Sequence, residues 1–507
     1  MQSFEKIRTG GYYYVDKTPF IHQLIEQGSY YFLSRPRRFG KSLLLDTLHQ
    51  LFEAKESLFH GLFIHNQWDW ARPRPVVRLG FGSGVMRSRQ ELDKHIHEQL
   101  DEQAGRLGIS LGNQTIAGRF GELIRLAHQQ HGERVAVLID EYDKPILDNI
   151  TDPATAAELR EGLKNLYSVL KDADPHLCFC LLTGVSKFSK VSRFSGLNNL
   201  NDISLDAPYS AICGYTEQDL DTVFAPELPG LDREQIKAWY NGYNWDGEPV
   251  YNPFDVLLLF QKREFRPYWF ETATPTFLVK LLAERGLYSP SLTKMNTREA
   301  LLSRFDVDDI STEALMFQAG YLTIKKVQAL LPGKHVYQLG FPNFEVETSL
   351  NEALLPVLGV EEAISDEQLI ALPGLLRDND FAGLEQHFKS LFAALPHDWY
   401  RNNPIAKYEG HYASVFYSHI AALGLRVTVE DASNTGKVDM AVDFNGQIYL
   451  FEFKVVEQVP EGSALAQLKQ KDYADKYRAS GKPIHLIGVE FSRRQRQIVA
   501  FERELVE

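Results

Sequence analysis

Short apolar runs that lack any in-and-out alternation are the feature that most constrains this fold. Four of them lie within the first 210 residues and alternate with helical patterns, at positions 30–33, 76–79, 135–139 and 177–182. Strands of this kind are buried on both faces, as in a parallel sheet that is covered by helices. The sequence therefore predicts an α/β sandwich for the N-terminal region.

Length and composition point to a folded protein with several domains. The chain has 507 residues, and domains average roughly 150 residues. With 44% hydrophobic and 24% charged residues, the collagenous, disordered and disulfide-scaffold classes are excluded. The formal net charge is −13, so any nucleic-acid site must be a local basic patch.

Changes of pattern divide the chain into three predicted regions. The α/β region covers 1–210. A mostly helical accessory region and linker covers 211–375, with a small strand pair near 321–324 and 336–339. The last region, 376–507, alternates helices with amphipathic strands, and we expect a second α/β domain there.

The cysteines and the N-terminus indicate the compartment. Cys178 and Cys180 share one face of a predicted strand, so with Cys213 they are best interpreted as small buried residues rather than metal ligands. No uninterrupted apolar run reaches membrane-spanning length, and the first residues lack the apolar centre of a signal peptide. We expect a cytoplasmic protein.

A strand, a loop that ends in Gly-Lys-Ser, and a helix follow one another at positions 30–52. This order is typical of a phosphate-binding loop. Lys41 is expected to reach the β- and γ-phosphates and the Ser42 hydroxyl to ligate Mg²⁺, while backbone N–H groups hold the phosphates of ATP. The loop residues assigned to nucleotide binding are Arg37, Arg38, Phe39, Gly40, Lys41 and Ser42.

The loop departs from the usual pattern at its first turn. Arg35 stands where a glycine is expected, so this side chain could obstruct the nucleotide. The alternative interpretation is a basic turn that opens an ordinary helix.

Two further strand ends support a nucleotide site. Asp140 follows the buried run 135–139 and is placed to hold Mg²⁺, and Glu141 is placed to polarise the attacking water. Thr183 ends the next predicted strand and could sense the γ-phosphate. Beyond it, Lys187, with Lys190 and Arg193, could contact a phosphate or form a solvated basic loop.

A hairpin is predicted near the C-terminus. Asn445-Gly446 favours a two-residue turn that pairs Phe444 with Gln447. In this register Asp439 faces Glu452 across the strands.

Directly opposed like charges destabilise a sheet unless something compensates them. A divalent cation is the natural compensation, since Mg²⁺ takes carboxylate oxygens and keeps water ligands. Lys454, on the same face as Glu452, could then position the attacking water. The alternative is an exposed polar sheet face.

These residues resemble two known families. Asp439 and Glu452-x-Lys454 look like the core of the PD-(D/E)XK nuclease superfamily, although Val438 replaces the usual proline. The front half resembles prokaryotic AAA-ATPase-like proteins fused to such a domain. That resemblance is carried by segments 14–18, 34–42, 182–189, 240–243 and 251–254. Together with the nuclease residues, the match spans nearly the whole chain.

The resemblance implies a P-loop domain at 1–210 and a restriction-endonuclease-like domain at 376–507. It also implies that the missing loop glycine is a family trait. Glu409 would be a further metal ligand, and Gln467 and Tyr473 would be auxiliary residues on the nuclease helix. The cofactors would be ATP and Mg²⁺, with Mn²⁺ an alternative at the nuclease site.

Two functions remain open at this point. One is an ATPase whose nucleotide state regulates a metal-dependent nuclease that acts on DNA. The other is a nucleotide-dependent switch or scaffold that binds nucleic acid without cutting it. A basic stretch in 461–507 could contact phosphates or form a solvated helix face. A homo-oligomer is compatible with both functions, and no membrane contact is expected.

Overall fold

The computed structural model divides the chain into two compact units. One comprises Met1–Trp269 and Asn296–Asn343, and the other comprises Phe270–Met295 and Phe344–Glu507. The predicted middle region 211–375 is thus shared between the units instead of standing alone. The residues that the structure describes are 2–187, 199–273, 278–279, 281–282, 285, 288–302, 311–360, 362–393, 409–432, 437–495 and 497–506.

A five-stranded parallel sheet forms the centre of the first unit. Its strands are β1 Tyr30–Ser34, β2 Val76–Gly80, β3 Val135–Asp140, β4 Leu177–Gly184 and β5 Asn201–Asp202, in the order β2-β3-β4-β1-β5. The four predicted strands are confirmed. Their apolar side chains are almost all buried, which explains the missing alternation.

Three helices of the first unit, Lys41–Phe52, Arg89–Leu107 and Ile116–His131, pack against this sheet. Its other helices are Phe4–Thr9, Thr18–Gln27, Lys144–Leu147, Pro153–Asp172, Glu217–Thr222, Arg233–Tyr240, Pro253–Lys262, Glu299–Leu302 and Thr312–Ala319. The helix Tyr268–Ala273 has residues in both units. Short 3₁₀ turns lie between several of them.

A smaller sheet contains the predicted strand pair. Its strands are β6 Met295–Arg298, β7 Thr323–Leu331 and β8 Lys334–Gly340, in the order β6-β8-β7. The pair β7 and β8 is antiparallel and extends well beyond the predicted positions.

The second unit has a mixed five-stranded sheet. Its strands are β9 Arg426–Ala432, β10 Lys437–Phe444, β11 Gln447–Val456, β12 Ile484–Ser492 and β13 Gln497–Val506, in the order β13-β12-β11-β10-β9. The predicted hairpin register is confirmed, since Phe444 pairs with Gln447 and Met440 with Phe451.

Helices surround this second sheet. They are Phe344–Leu354, Glu362–Arg377, Phe381–Ala393, Glu409–Ala422, Ser463–Gln470 and Asp475–Arg478. The helix Ser463–Gln470 lies in the crossover between the parallel strands β11 and β12. Among the described residues, no helix has both the length and the apolar character needed to cross a lipid bilayer.

Gly488 fixes how closely the crossover helix approaches the sheet. A Cβ atom at this position would lie 2.4 Å from the backbone nitrogen of Leu465. Only a residue without a side chain allows this helix–strand distance. The position of Gln467, two residues further along the helix, therefore depends on Gly488.

We predict that Gly488→Ala lowers the free energy of unfolding of the full-length protein by about 1–3 kcal/mol, because the helix must move away from β12. Urea titration followed by circular dichroism measures this change. Gly374→Ala is the matched control, since it lies in the helix Glu362–Arg377 with no atom within 4 Å of the added methyl. That control should leave stability unchanged or raise it; equal behaviour of the two variants would contradict the packing argument.

Candidate functional site

The loop after β1 presents unpaired backbone N–H groups. Arg38 and Gly40 adopt left-handed backbone conformations with φ of 68° and 95°. Residues 37–38 form a turn, and beyond it the N–H groups of positions 40–42 have no acceptor among the described residues. They open the helix Lys41–Phe52, so this loop has the donors and the dipole of an anion site.

Arg35 is turned away from this loop. Its guanidinium donates to the carbonyl oxygens of Ser34, Ser204 and Tyr209 at 2.8–3.0 Å and stacks on the Trp245 ring at 4.1 Å. Burial lowers the pKa of Arg35 to about 10, so the side chain stays charged at neutral pH. The expectation that it could obstruct the phosphate loop finds no support in this arrangement.

Lys41 is buried at the base of the loop. Its ammonium donates to the carbonyl oxygens of Arg35 at 2.8 Å and Pro36 at 2.9 Å. Burial lowers the pKa of Lys41, whereas the nearby carboxylates of Asp140 and Glu141 act in the opposite direction. The lysine thus lies between the loop and the two predicted acidic residues.

The acidic residues and Thr183 meet at one edge of the sheet. Strand β4 lies between β1 and β3, and the Thr183 hydroxyl donates to Asp140 Oδ1 at 2.8 Å. Glu141 has a left-handed backbone with φ of 51°, and burial raises the pKa of its carboxyl. The predicted nucleotide residues are brought together where parallel-sheet proteins bind their ligands.

Asp143, which the sequence analysis does not predict, links the turn after β3 to the residues that follow β4. It is buried, and its carboxylate accepts hydrogen bonds from the N–H and hydroxyl of Ser186, both at 2.6 Å, and from the N–H of Val185. Its place three residues after Asp140 in the same acidic turn was the available signal.

Lys187 does not extend into solvent or offer a free charge. Its side chain is 2% exposed and its ammonium lies 3.0 Å from Asp202 Oδ2. The interpretation of this lysine as part of a solvated loop is wrong for this reason, and its role as a phosphate contact stays a prediction. Lys190 and Arg193 lie outside the described residues.

Glu452 is the central residue of the second candidate site. It is 1% exposed, in the middle of β11. Its Oε1 accepts from Lys454 Nζ at 3.1 Å and also from Gln467 Nε2. Its Oε2 is buried and has no hydrogen-bond partner among the described residues.

Asp439 lies next to this carboxylate. Its Oδ2 accepts from the backbone N–H of Phe453 at 2.9 Å. Burial raises the pKa of Glu452 to about 7, and the negative charge of Asp439 adds to the effect, against the Lys454 ammonium. The hairpin therefore places two carboxylates and a lysine together, as predicted.

These groups fit a divalent cation that keeps several of its waters. Mg²⁺ is bound in proteins through as few as one or two carboxylates, and the unpartnered Oε2 of Glu452 is an available ligand atom. Within the described part of the chain, no group of three or more His, Cys, Asp or Glu side chains is arranged around a metal position. The Glu409 side chain, the third predicted ligand, lies outside the described residues.

The two auxiliary residues have different surroundings. Gln467 contacts Glu452 directly, whereas Tyr473 is buried among the apolar residues Val438 and Leu468.

The sequence analysis does not identify Glu490, a buried carboxylate on β12. It accepts from the N–H groups of Glu461 and Ser463, both at 2.6 Å, and so anchors the start of the helix that carries Gln467.

Most of the basic side chains near the C-terminus are already paired. Carboxylates lie within ion-pair distance of Lys469, Lys476, Arg478, Lys482 and Arg493. This arrangement favours the solvated-face interpretation of the stretch over a phosphate-binding one.

Comparisons with known proteins give one family for each end of the chain. Residues 1–194 match the AAA-ATPase-like family, described as a predicted AAA-ATPase, and residues 407–501 match the PD-(D/E)XK nuclease superfamily. An "uncharacterized protein in vnfD 5′ region" of Azotobacter chroococcum mcd 1 is 64% identical over 502 residues, which cover 99% of this chain and 97% of that protein. No solved structure matches. The chain belongs to the AAA-ATPase-like proteins that carry a C-terminal PD-(D/E)XK nuclease superfamily domain.

Proposed function

We propose that the protein binds and hydrolyses ATP in its first unit and cleaves DNA phosphodiester bonds with Mg²⁺ in its second, and that the nucleotide state regulates cleavage. The observation that carries the nuclease half is the buried, unpartnered Oε2 of Glu452 beside Asp439. A buried carboxylate oxygen without a partner is costly, and a metal ligand role accounts for it.

Each residue of the nuclease site has a distinct part in this proposal. Asp439 and Glu452 would hold the metal, while Gln467 fixes Glu452 by donating to Oε1. Bound Mg²⁺ would supply Lewis-acid activation of water and neutralise phosphate charge. Lys454, whose side chain is 28% exposed, remains accessible enough to donate to a phosphate oxygen and stabilise its developing charge.

The ATPase half rests on the free N–H groups of the loop and the acidic residues opposite it. Ser42 and Asp140 would hold Mg²⁺, and Thr183, bonded to Asp140, is placed to respond to the γ-phosphate. Lys41 would exchange its two carbonyl acceptors for phosphate oxygens. Glu141 would orient the attacking water.

A second candidate is a nucleotide-dependent switch that binds nucleic acid without cutting it. The observation that favours it is the ion pair between Lys454 and Glu452 Oε1 at 3.1 Å. This ammonium compensates the negative charge of the carboxylate without a metal. Cleavage assays separate the two candidates.

For the nucleotide site, Lys41→Ala should weaken ATP binding by roughly 10- to 100-fold, because a charge-assisted hydrogen bond is lost. Titration with a fluorescent ATP analogue measures the affinity. Lys171→Ala, an exposed lysine of the same unit, should bind like the unmodified protein; unchanged affinity in Lys41→Ala would overturn the assignment.

For the nuclease site, Asp439→Asn and Glu452→Gln should each lower Mg²⁺-dependent cleavage of plasmid and linear DNA on the order of 100-fold. Asp443→Asn is the matched control, since this carboxylate lies on the same strand but pairs with Lys482 at 2.6 Å. Cleavage should respond to ATP, and Lys41→Ala should remove that response.

Two outcomes of the cleavage assays would contradict the proposed nuclease function. Absence of cleavage by the unmodified protein with Mg²⁺ or Mn²⁺, with and without ATP, would leave the non-cutting switch. Equal cleavage by all three carboxylate variants would place the activity elsewhere.

Metal affinity at the nuclease site should depend on pH. The Glu452 carboxyl has its pKa raised to about 7, so below that pH a proton competes with the metal. Mn²⁺ affinity, measured by titration calorimetry, should rise about tenfold per pH unit below pH 7 and level off above it. Asp443→Asn should keep this profile and Glu452→Gln should lose it; a flat profile in the unmodified protein would refute the role of Glu452.

A further inference from the structure

The hairpin of β7 and β8 projects a basic surface from the first unit. We call residues 323–340 the basic hairpin; they contain three lysines and no acidic residue, in a protein of net charge −13. From Lys325 to Lys334 nearly every residue is exposed. The local charge is therefore opposite to that of the whole chain.

Two lysines of the basic hairpin are free of carboxylates. Among the described residues, neither Lys326 nor Lys334 has an ion-pair partner. Lys325, in contrast, donates to the carbonyl oxygen of Pro342. The basic side chains near the C-terminus are mostly neutralised, so these two lysines are the better candidates for an external anion.

The strand register places both free lysines on one face. Lys326 pairs with Gln338, and alternation along β8 puts Gln338 and Lys334 on the same side. Four residues of strand separate the two lysine positions by about 13 Å. The opposite face carries Tyr337, near the carboxylates of Asp246 and Glu299, which belong to other segments. These two carboxylates therefore lie on the side of the hairpin away from Lys326 and Lys334.

The tip of the basic hairpin is apolar. Leu330 is 58% exposed and Leu331 is 67% exposed, next to the turn at Gly333, whose φ is 70°. In the major groove of DNA, apolar side chains can contact the methyl groups of thymine. A two-stranded ribbon also fits the major groove, which is about 12 Å wide, a width close to the lysine spacing.

We propose that the basic hairpin is a contact site for duplex nucleic acid, with Lys326 and Lys334 on backbone phosphates and the leucine tip against the bases. This goes beyond the proposed function, because it assigns substrate binding to the ATPase unit and not to the nuclease residues. The charge of the face and its lack of carboxylate partners favour a polyanion over a protein surface.

The test measures binding without cleavage. Fluorescence anisotropy of a short labelled duplex is recorded with the full-length protein in EDTA, over a range of salt concentrations, so the outcome is independent of whether the nuclease site cuts. Lys326→Ala/Lys334→Ala should lower the slope of log affinity against log salt by about 1.8 and weaken binding roughly 10- to 60-fold at 0.1 M salt. Duplex DNA, duplex RNA and single-stranded DNA are the three ligands compared, and the duplexes should show the larger losses.

Lys6→Ala/Lys171→Ala removes the same charge from two exposed lysines elsewhere in the first unit and should leave slope and affinity nearly unchanged. Identical behaviour of the two double variants, or no duplex binding by the unmodified protein, would overturn the proposal. Leu330→Ser/Leu331→Ser should weaken duplex binding. The leucine variant is also compared with the unmodified protein by sedimentation. If it loses a self-association that the unmodified protein shows, and its duplex binding is intact, the hairpin is a protein contact and the proposal is overturned as well.

Discussion

The proximity of two carboxylates, Asp439 and Glu452, inside one sheet is the constraint on which the second unit depends. Burying like charges side by side is unfavourable unless hydrogen bonds or cations compensate them. Lys454 and Gln467 both donate to one oxygen of Glu452, and within the described part of the chain the other oxygen has no partner. Gly488 lets the helix that carries Gln467 approach closely enough to make this contact. Local packing and the chemistry of the site are therefore linked.

In the first unit, backbone N–H groups rather than side chains are the main groups of the candidate site. A parallel sheet brings the ends of β1, β3 and β4 to one edge, where unpaired N–H groups face a lysine and two acids. Arg35 replaces the usual loop glycine, but the two terminal nitrogens of its guanidinium donate to the carbonyl oxygens of Ser34, Ser204 and Tyr209. Arg35 thus supports the loop, and the N–H groups of positions 40–42, which we propose bind phosphate, have no acceptor among the described residues.

The sequence was most informative where local rules dominate. Unalternating apolar runs located the four strands, and Asn445-Gly446 set the register from Phe444/Gln447 to Met440/Phe451. That register brings Asp439, the next residue of β10, near Glu452. It was least informative where a long-range contact decides. Asp143 and Glu490 are buried carboxylates held by backbone N–H groups of distant segments. Lys187, which follows β4, pairs with Asp202 on β5, two strands away in the sheet. No local pattern encodes such partners. The division of residues 211–375 between two units also depends on long-range packing, which a local pattern does not predict.

The most direct test of the account is the location of a metal ion. Crystals soaked in Mn²⁺ above pH 7, measured at a wavelength with strong manganese anomalous scattering, should show a peak within ligand distance of Asp439 and Glu452 Oε2. The peak should be absent from Glu452→Gln crystals and present in those of Asp443→Asn. An empty site in the unmodified protein, with the Lys454–Glu452 ion pair intact, would contradict the account and favour a protein that binds nucleic acid without cutting it.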